Sequence, residues 1–298
     1  MENIVSRRNF VKSTAAAVAA SSIYTIASAA HHANATVKVA LIGCGGRSNR
    51  DMPNFIKACE LLGKKAEVVG LADAFQDRLD TASQKYGVDK SNCFVGFQAY
   101  KQVLETDAEF VIMATPPNFR ATHLEAVIKS GKHAMIEKPV AVDAPGCRKV
   151  IEVGKLAKKK GLAIVAGVQR RHDIAWLTNK AKIDAGAIGT ILGGTVAWNG
   201  TVPWIWGREQ TWDDSEYLTR NWLNWSEMSG DHITEQHVHN LDVANWFLGR
   251  HPESCVGFGG RARRQSGNQY DFFSLDLDYG DGVHIHSQCR QLSGCFNR

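Results

Sequence analysis

Two short segments of this chain carry residue types able to handle a proton on a hydroxyl group. The first is Glu137-Lys138-Pro139, which closes the apolar run His133-Ala134-Met135-Ile136. That run follows a helix-like stretch and the turn signal Ser130-Gly131-Lys132, which predicts a buried parallel strand with a lysine at its carboxyl end. Open α/β sheets bind their ligands at that end of their strands. A lysine there is costly to desolvate without a partner or a task. The competing reading is a strand-end lysine that reaches solvent.

The second segment runs from Glu235 to Asp242. Gly230 breaks the chain, Thr234 offers an N-cap and Gly249 a stop, so residues 235–248 read as one helix. On that helix Glu235 and His239 are i, i+4 neighbours, with Asp242 one turn further. A carboxylate stacked beside an imidazole sets its tautomer and raises its pKa, which suits a general base. A hydrogen-bonded structural pair is the alternative. A metal held by His232, His237 and His239 is disfavoured because residues 237 and 239 diverge on a helix, so no metal is expected.

Such residues need a scaffold that brings them to a cofactor. Val37-Lys38-Val39-Ala40-Leu41-Ile42 predicts a strand running directly into Gly43-Cys44-Gly45-Gly46-Arg47. Gly43 permits a tight turn, Gly45 lets backbone approach a pyrophosphate, and the helix that follows supplies a positive N-terminus. Ser48, still small, stands where a third glycine is usual. The next strand, 66–72, ends on Asp73, where a carboxylate would bind ribose hydroxyls and repel a 2′-phosphate. That favours NAD, with NADP as an alternative because Arg47 and Arg78 lie near. Helices over 75–86 and 100–104, an apolar strand over 110–114, a helix over 119–129, the strand before Glu137 and a helix over 144–160 continue the alternation. This is the pattern of an α/β, doubly wound parallel Rossmann sheet, placed at residues 36–161.

Residues 162–298 read as a second, α+β domain. A strand over 162–168 ends the alternation, and longer strands follow over 191–198, 272–279 and 283–289. Val283, Ile285 and Ser287 alternate with His284, His286 and Gln288, as in a mostly antiparallel sheet with one wet face. Trp198, Trp204, Trp206, Trp212, Trp222 and Trp225 crowd ahead of the second segment, among Asn199, Arg208, Arg220 and Asn221. Core packing accounts for some of these rings. A loop of this kind also resembles a sugar-binding wall, in which rings meet C–H surfaces and polar groups meet hydroxyls.

At 298 residues, 44% hydrophobic and 22% charged, the chain has the bulk of an ordinary globular protein of one or two domains. Of its net charge of +5, two units lie in the first twelve residues, and the scattered +3 that remains argues against nucleic acid. The basic run from Lys155 to Lys160 reads as a solvated helix end. Ser6-Arg7-Arg8-Asn9-Phe10-Val11-Lys12 precedes an alanine-rich stretch with A-x-A sites at Ala27-Ser28-Ala29 and Ala33-Asn34-Ala35. Residues 1–35 therefore read as a twin-arginine signal, implying the twin-arginine export machinery and a periplasmic or exported protein that folds around its cofactor first. A membrane-anchoring helix is the alternative. The seven cysteines, at 44, 59, 93, 147, 255, 289 and 295, show neither CxxC nor metal-like spacing. Cys289 and Cys295 are near enough to pair if a turn joins them, and most of the others are expected as small buried residues.

Taken together, these motifs resemble the glucose–fructose oxidoreductase / inositol dehydrogenase / MocA family over nearly everything after residue 35. The matching pieces are Gly43-Cys44-Gly45-Gly46-Arg47, Ala114-Thr115-Pro116-Pro117-Asn118 with His123, Glu137-Lys138-Pro139, Val168-Gln169-Arg170-Arg171, and Glu235-x-x-x-His239-x-x-Asp242. The resemblance implies that Lys138 and His239 flank the nicotinamide and act on the substrate hydroxyl. Glu235, one methylene longer than the family's usual aspartate, would bind substrate or orient His239. Cofactor contacts are expected from Gly43, Cys44, Gly45, Gly46, Arg47, Asp73, Thr115, Pro116, Asn118, His123, Glu137 and Lys138. Substrate contacts are expected from Arg171, Trp204, Arg220, Trp222, Glu235, His239 and Asp242.

Family members usually continue beyond a point such as Phe296-Asn297-Arg298, which implies an incomplete C-terminal domain and bears on the sheet edge where a homo-oligomer would form. The implied activity is an NAD(P)-dependent oxidoreductase that moves a hydride between a tightly bound nicotinamide and a ring carbon of a sugar or cyclitol. An NAD-dependent glycoside hydrolase with a transient redox cycle is the alternative enzyme. A ligand sensor is a third class, and it would need neither Lys138 nor His239.

Overall fold

The computed structural model describes residues 36–297, so the expected signal, residues 1–35, lies outside the described residues. Strand β1 (Thr36–Ile42) is followed by helix α1 (Ser48–Leu61), β2 (Lys65–Asp73) and α2 (Gln76–Tyr86). Then come β3 (Cys93–Val95), α3 (Ala99–Val103), β4 (Phe110–Met113), α4 (Pro117–Lys129), β5 (His133–Ile136), α5 (Ala144–Lys159) and β6 (Ile164–Ala166). All six strands are parallel, in the order β3-β2-β1-β4-β5-β6. Successive side chains of a strand face opposite ways, and β1 shows the consequence. Val39 and Leu41 join a core with Met52 of α1 and Leu79 of α2, while Ala40 and Ile42 join another with Leu124 of α4 and Val153 of α5. Both faces are thus covered, which is why the strands read as unbroken apolar runs. Chain order reverses between β1 and β4, opening a crevice at their carboxyl ends. Because β6 pairs with β5, the parallel sheet extends to residue 166, past the boundary expected at 161.

Two glycines make this junction possible. Gly43 has φ +91°, and a Cβ there would lie 2.8 Å from the Thr115 nitrogen and 2.9 Å from the Ala114 carbonyl carbon. A Cβ at Gly167, just after β6, would lie 2.8 Å from the Glu137 carboxyl group.

Beyond α6 (Ile174–Asp184) lies a four-stranded sheet ordered β7-β10-β9-β8, made of β7 (Gly193–Gly200), β8 (Ser254–Gly260), β9 (Phe272–Asp278) and β10 (His284–Gln291). β9 runs antiparallel to β8 and β10, and β7 runs parallel to β10. As the alternation predicted, Ile285, Ser287 and Cys289 are buried while His284 and Gln288 are exposed. The buried face packs on Ala244, in the helix over Val238–Leu248, with Leu277, Tyr279 and Val283.

The single helix expected over 235–248 is in fact two, and Thr234 is not its N-cap. After α7 (Asp214–Arg220) and α8 (Ser226–Ser229), α9 covers Asp231–Glu235 and α10 covers Val238–Leu248, with Gln236 and His237 between them. Tertiary anchors impose the break. His237, fully buried, bonds through Nε2 to Ser287 Oγ of β10 at 2.7 Å. The Asp231 carboxylate receives the backbone N–H of His232 and of Tyr270.

The cysteine expectation also fails in part. All seven are free, and Cys147, Cys255 and Cys295 are exposed. Cys289 points into the buried face of β10 while Cys295 lies in the exposed tail, so the two do not pair.

Candidate active site

A cavity of about 600 Å³ lies at the carboxyl ends of the parallel strands and is roofed by the second unit. From below it is lined by Gly43, Gly45, Gly46, Arg47, Asp73, Thr115, Pro116, His123, Glu137 and Lys138. From above come Trp204, Trp206, Arg220, Trp222, Glu235 and Gln236. Cys44, Asn118, Arg171, His239 and Asp242, all expected in the site, do not line it.

The glycine loop is held by its own neighbours. Ser48 Oγ donates to the Gly45 carbonyl at 2.7 Å, and Asp73 accepts the backbone N–H of Cys44 at 2.6 Å and of Phe75 at 2.9 Å. Cys44 therefore contributes its backbone, while its buried thiol is pushed far up by desolvation. Burial also raises the Asp73 carboxyl, which the two N–H bonds oppose. Bare backbone at Gly43 and Gly45, with a carboxylate at the end of β2, fits a dinucleotide lying along the crevice. Asp73→Ala is expected to weaken dinucleotide binding generally, because the loop loses its anchor. It should also raise NADP affinity relative to NAD, and titration with both reads the ratio. An unchanged ratio removes Asp73 from cofactor selection.

At the other end, Lys138 Nζ donates to the Glu235 carbonyl at 2.6 Å and to its Oε1 at 2.7 Å, with 13% and 6% of the two side chains exposed. The Gln236 amide donates to the other Glu235 oxygen. Glu235 thus partners Lys138 rather than His239, which reverses one expectation. Burial first, then the nearby Lys138, Arg170 and Arg47 cations, lower the His239 imidazole to about 4 instead of raising it. His239 packs 5.7 Å from the Trp198 ring, and its side chain makes no hydrogen bond to a described residue.

The wider shell is an ionic lattice. Glu137, almost wholly buried, accepts from Arg47 Nη2 at 2.7 Å and from the Lys138 backbone N–H at 3.1 Å. Arg47 also pairs with Asp51 at 3.0 Å, and burial with Glu137 nearby lifts the Asp51 carboxyl to about 6. Arg120 donates to the Thr115 and Pro139 carbonyls, each at 2.8 Å, tying the loop after β4 to the loop after β5.

Arg171 and Asp242 form a two-pronged pair at 2.9 Å beside Trp246, and both are spent on each other. Arg220 lines the cavity yet is committed to Asp77 and Glu216. Among the tryptophans, Trp204, Trp206 and Trp222 form a contiguous cluster with centroids about 6 Å apart. Among the described residues no group of three or more His, Cys, Asp or Glu could hold a metal. Asp51 and Arg120 were not anticipated. Arg120 had a legible signal, since it shares the 117, 120, 124, 127 stripe of α4 that is otherwise apolar or small.

Residues 37–168 match the oxidoreductase family, NAD-binding Rossmann fold, and residues 176–295 match the GFO/IDH/MocA C-terminal domain. The inositol 2-dehydrogenase of Burkholderia cenocepacia (strain HI2424) is 29% identical over 252 residues, covering 84% of this chain and 66% of that protein. The 2,7-anhydro-N-acetylneuraminate hydratase of Escherichia coli (strain K12) is 31% identical over 178 residues, covering 58% of this chain and 43% of that protein. The chain thus spans between 43% and 66% of the length of these curated relatives. The WlbA dehydrogenase from Bordetella pertussis, solved with NADH and UDP-GlcNAcA, superposes with a TM-score of 0.69 at 22% identity. That match covers 87% of this chain and 73% of that chain, and it speaks for the fold. The family matches cover most of the chain, which therefore belongs to the GFO/IDH/MocA family of oxidoreductases.

Proposed function

We propose that this protein is an NAD-dependent oxidoreductase acting on a CH–OH group of a sugar, cyclitol or derivative. The observation that carries the reading is Lys138, ion-paired across the same cavity that the glycine loop lines. Bound NAD would supply the acceptor for the electron pair of the C–H bond.

The chain's own residues would do the rest. Lys138 exchanges one of its two bonds to Glu235 for the substrate oxygen and stabilises the negative charge that develops there. His239, held neutral by burial, takes the hydroxyl proton as the carbonyl forms. The Trp204, Trp206 and Trp222 cluster offers ring faces to sugar C–H surfaces and sheds water. The inositol 2-dehydrogenase relative supports a polyol substrate.

The cofactor stays bound between turnovers, held by the glycine loop and Asp73. Export through the twin-arginine route, signalled by residues 1–35, would require this, because a nicotinamide pool is lacking outside the cytoplasm. A homo-oligomer through the second sheet belongs to the same reading. Purified protein offered sugars, cyclitols and aryl glycosides, with nicotinamide absorbance and aglycone release followed together, tests the assignment. Reduction of the nicotinamide by at least one polyol is the expected result. Aglycone release with no net reduction would overturn it in favour of a redox glycosidase.

A further inference from the structure

Arg220, expected at the substrate, instead spans the cleft to the parallel-sheet unit. Its Nη1 and Nη2 grip the Asp77 carboxylate at 3.1 and 2.7 Å, while Nε donates to Glu216 at 2.7 Å, one turn back on α7. The guanidinium lies 3.9 Å from the centroid of Phe75 and 5.0 Å from that of Trp212. Asp77 is in the first turn of α2, and Phe75 is two residues past Asp73 at the end of β2. β2 and β5 are separated by β1 and β4, which places this contact about 14 Å across the sheet from the Lys138 strand. Two ion pairs, Lys138–Glu235 and Arg220–Asp77, therefore join the two units on opposite sides of one cavity.

A lone surface pair restrains little, and 63% of the Asp77 side chain is exposed. Here the Arg220 side chain is 14% exposed, with its guanidinium forked onto one carboxylate, braced by a second and packed on two aromatic rings. Such bracing pre-organises the fork, so little side-chain freedom is lost in making the contact. Arg78 lies 5.1 Å from the Phe75 centroid, so that ring carries two guanidinium groups.

We propose that Arg220 and Asp77 form a latch that closes the adenosine end of the cleft and sets the rate at which the dinucleotide leaves. The inference rests on the dinucleotide reading above and adds to it the residue that governs retention. Phe75 and Arg220 both line the cavity beside Asp73, so an adenosine held there would have to pass the latch to escape. Substrate, by contrast, must reach Lys138 on the far side. Turnover could then proceed with the latch shut, and cofactor retention is separated from substrate exchange.

The test uses the full chain loaded with NADH. Energy transfer from the cavity tryptophans to the reduced nicotinamide reports occupancy, and excess NAD as a chase gives the dissociation rate. Arg220→Ala and Asp77→Ala are each expected to speed dissociation by about tenfold, and the double variant no further, because both remove one interaction. Wild-type dissociation should accelerate with salt, and that acceleration should be lost in the variants. A role confined to fold stability would produce neither the coupling nor the lost salt response. Dissociation within about twofold of wild type in Asp77→Ala, whose exposed side chain makes misfolding a small concern, would overturn the latch, as would additive effects in the double variant. A wild-type chain that binds no NADH would instead overturn the dinucleotide reading and the latch with it.

Discussion

Lys138→Ala and His239→Ala should each lower turnover by at least about 10²-fold while NADH binding survives, because in the proposed reaction both groups act on the reacting hydroxyl rather than on the cofactor. Lys138→Ala carries a second consequence. It strands the buried Glu235 carboxylate, and breaking one partner from such a pair costs on the order of 3 kcal/mol. Thermal melts should therefore show a less stable protein, and adding Glu235→Gln should restore part of that stability without restoring turnover. His239 is the sharper of the two tests. It lies beside the cavity rather than on its lining, and its imidazole makes no hydrogen bond to a described residue, so its loss strands no partner. Single-turnover reduction rates, with NADH titrations alongside, read both effects. A near-normal rate in either variant would remove that residue from the mechanism.

The protein should also lose stability steeply as pH falls from 6.5 towards 4. His123, His237 and His239 are each driven from 6.5 to about 4, with burial the leading cause in every case. The unfolded chain takes up protons near 6.5 and the folded one only near 4, so the stability these three confer is complete above 6.5 and drains away below it. Asp51 opposes the trend. Its folded pKa is raised from 3.8 to about 6, so its contribution is present at low pH and lost as pH rises through that interval. Asp73, also raised by burial, acts in the same sense, and the three imidazoles set the sign against these two carboxyl groups. Thermal melts across this range check it, and a melting temperature independent of pH would contradict it. His237→Gln, which cannot gain charge, should remove about a third of the histidine-driven slope.

Much of the parallel sheet was legible because its signals are local. β1 ends at Ile42 against a glycine that the geometry cannot replace, and β2 ends on Asp73 as expected. What could not be read depends on partners distant in the chain. The break between α9 and α10 follows from a bond between His237 and Ser287, fifty residues apart, and nothing in the helical periodicity announces it. The same break took Glu235 off the His239 face and gave it to Lys138, ninety-seven residues away. The tryptophan-rich stretch was identified as a unit, yet it divides in space. Trp204, Trp206 and Trp222 line the cavity, whereas Trp198 packs on His239 and Trp212 lies against Arg220. Arg220 shows the same limit, since its partner Asp77 lies 143 residues earlier.

In the proposed reaction the ring-carbon hydrogen, beside Lys138, would pass to a dinucleotide that stays in the protein. The most direct test incubates extensively dialysed protein, with no dinucleotide added, with a polyol deuterated on its ring carbons, then denatures the protein and weighs the released cofactor. Close to stoichiometric dinucleotide is expected, a fraction of it reduced and carrying the deuterium, with labelling at least about 10²-fold slower in Lys138→Ala. Protein that releases no dinucleotide, or whose cofactor stays unlabelled with every polyol, would contradict it.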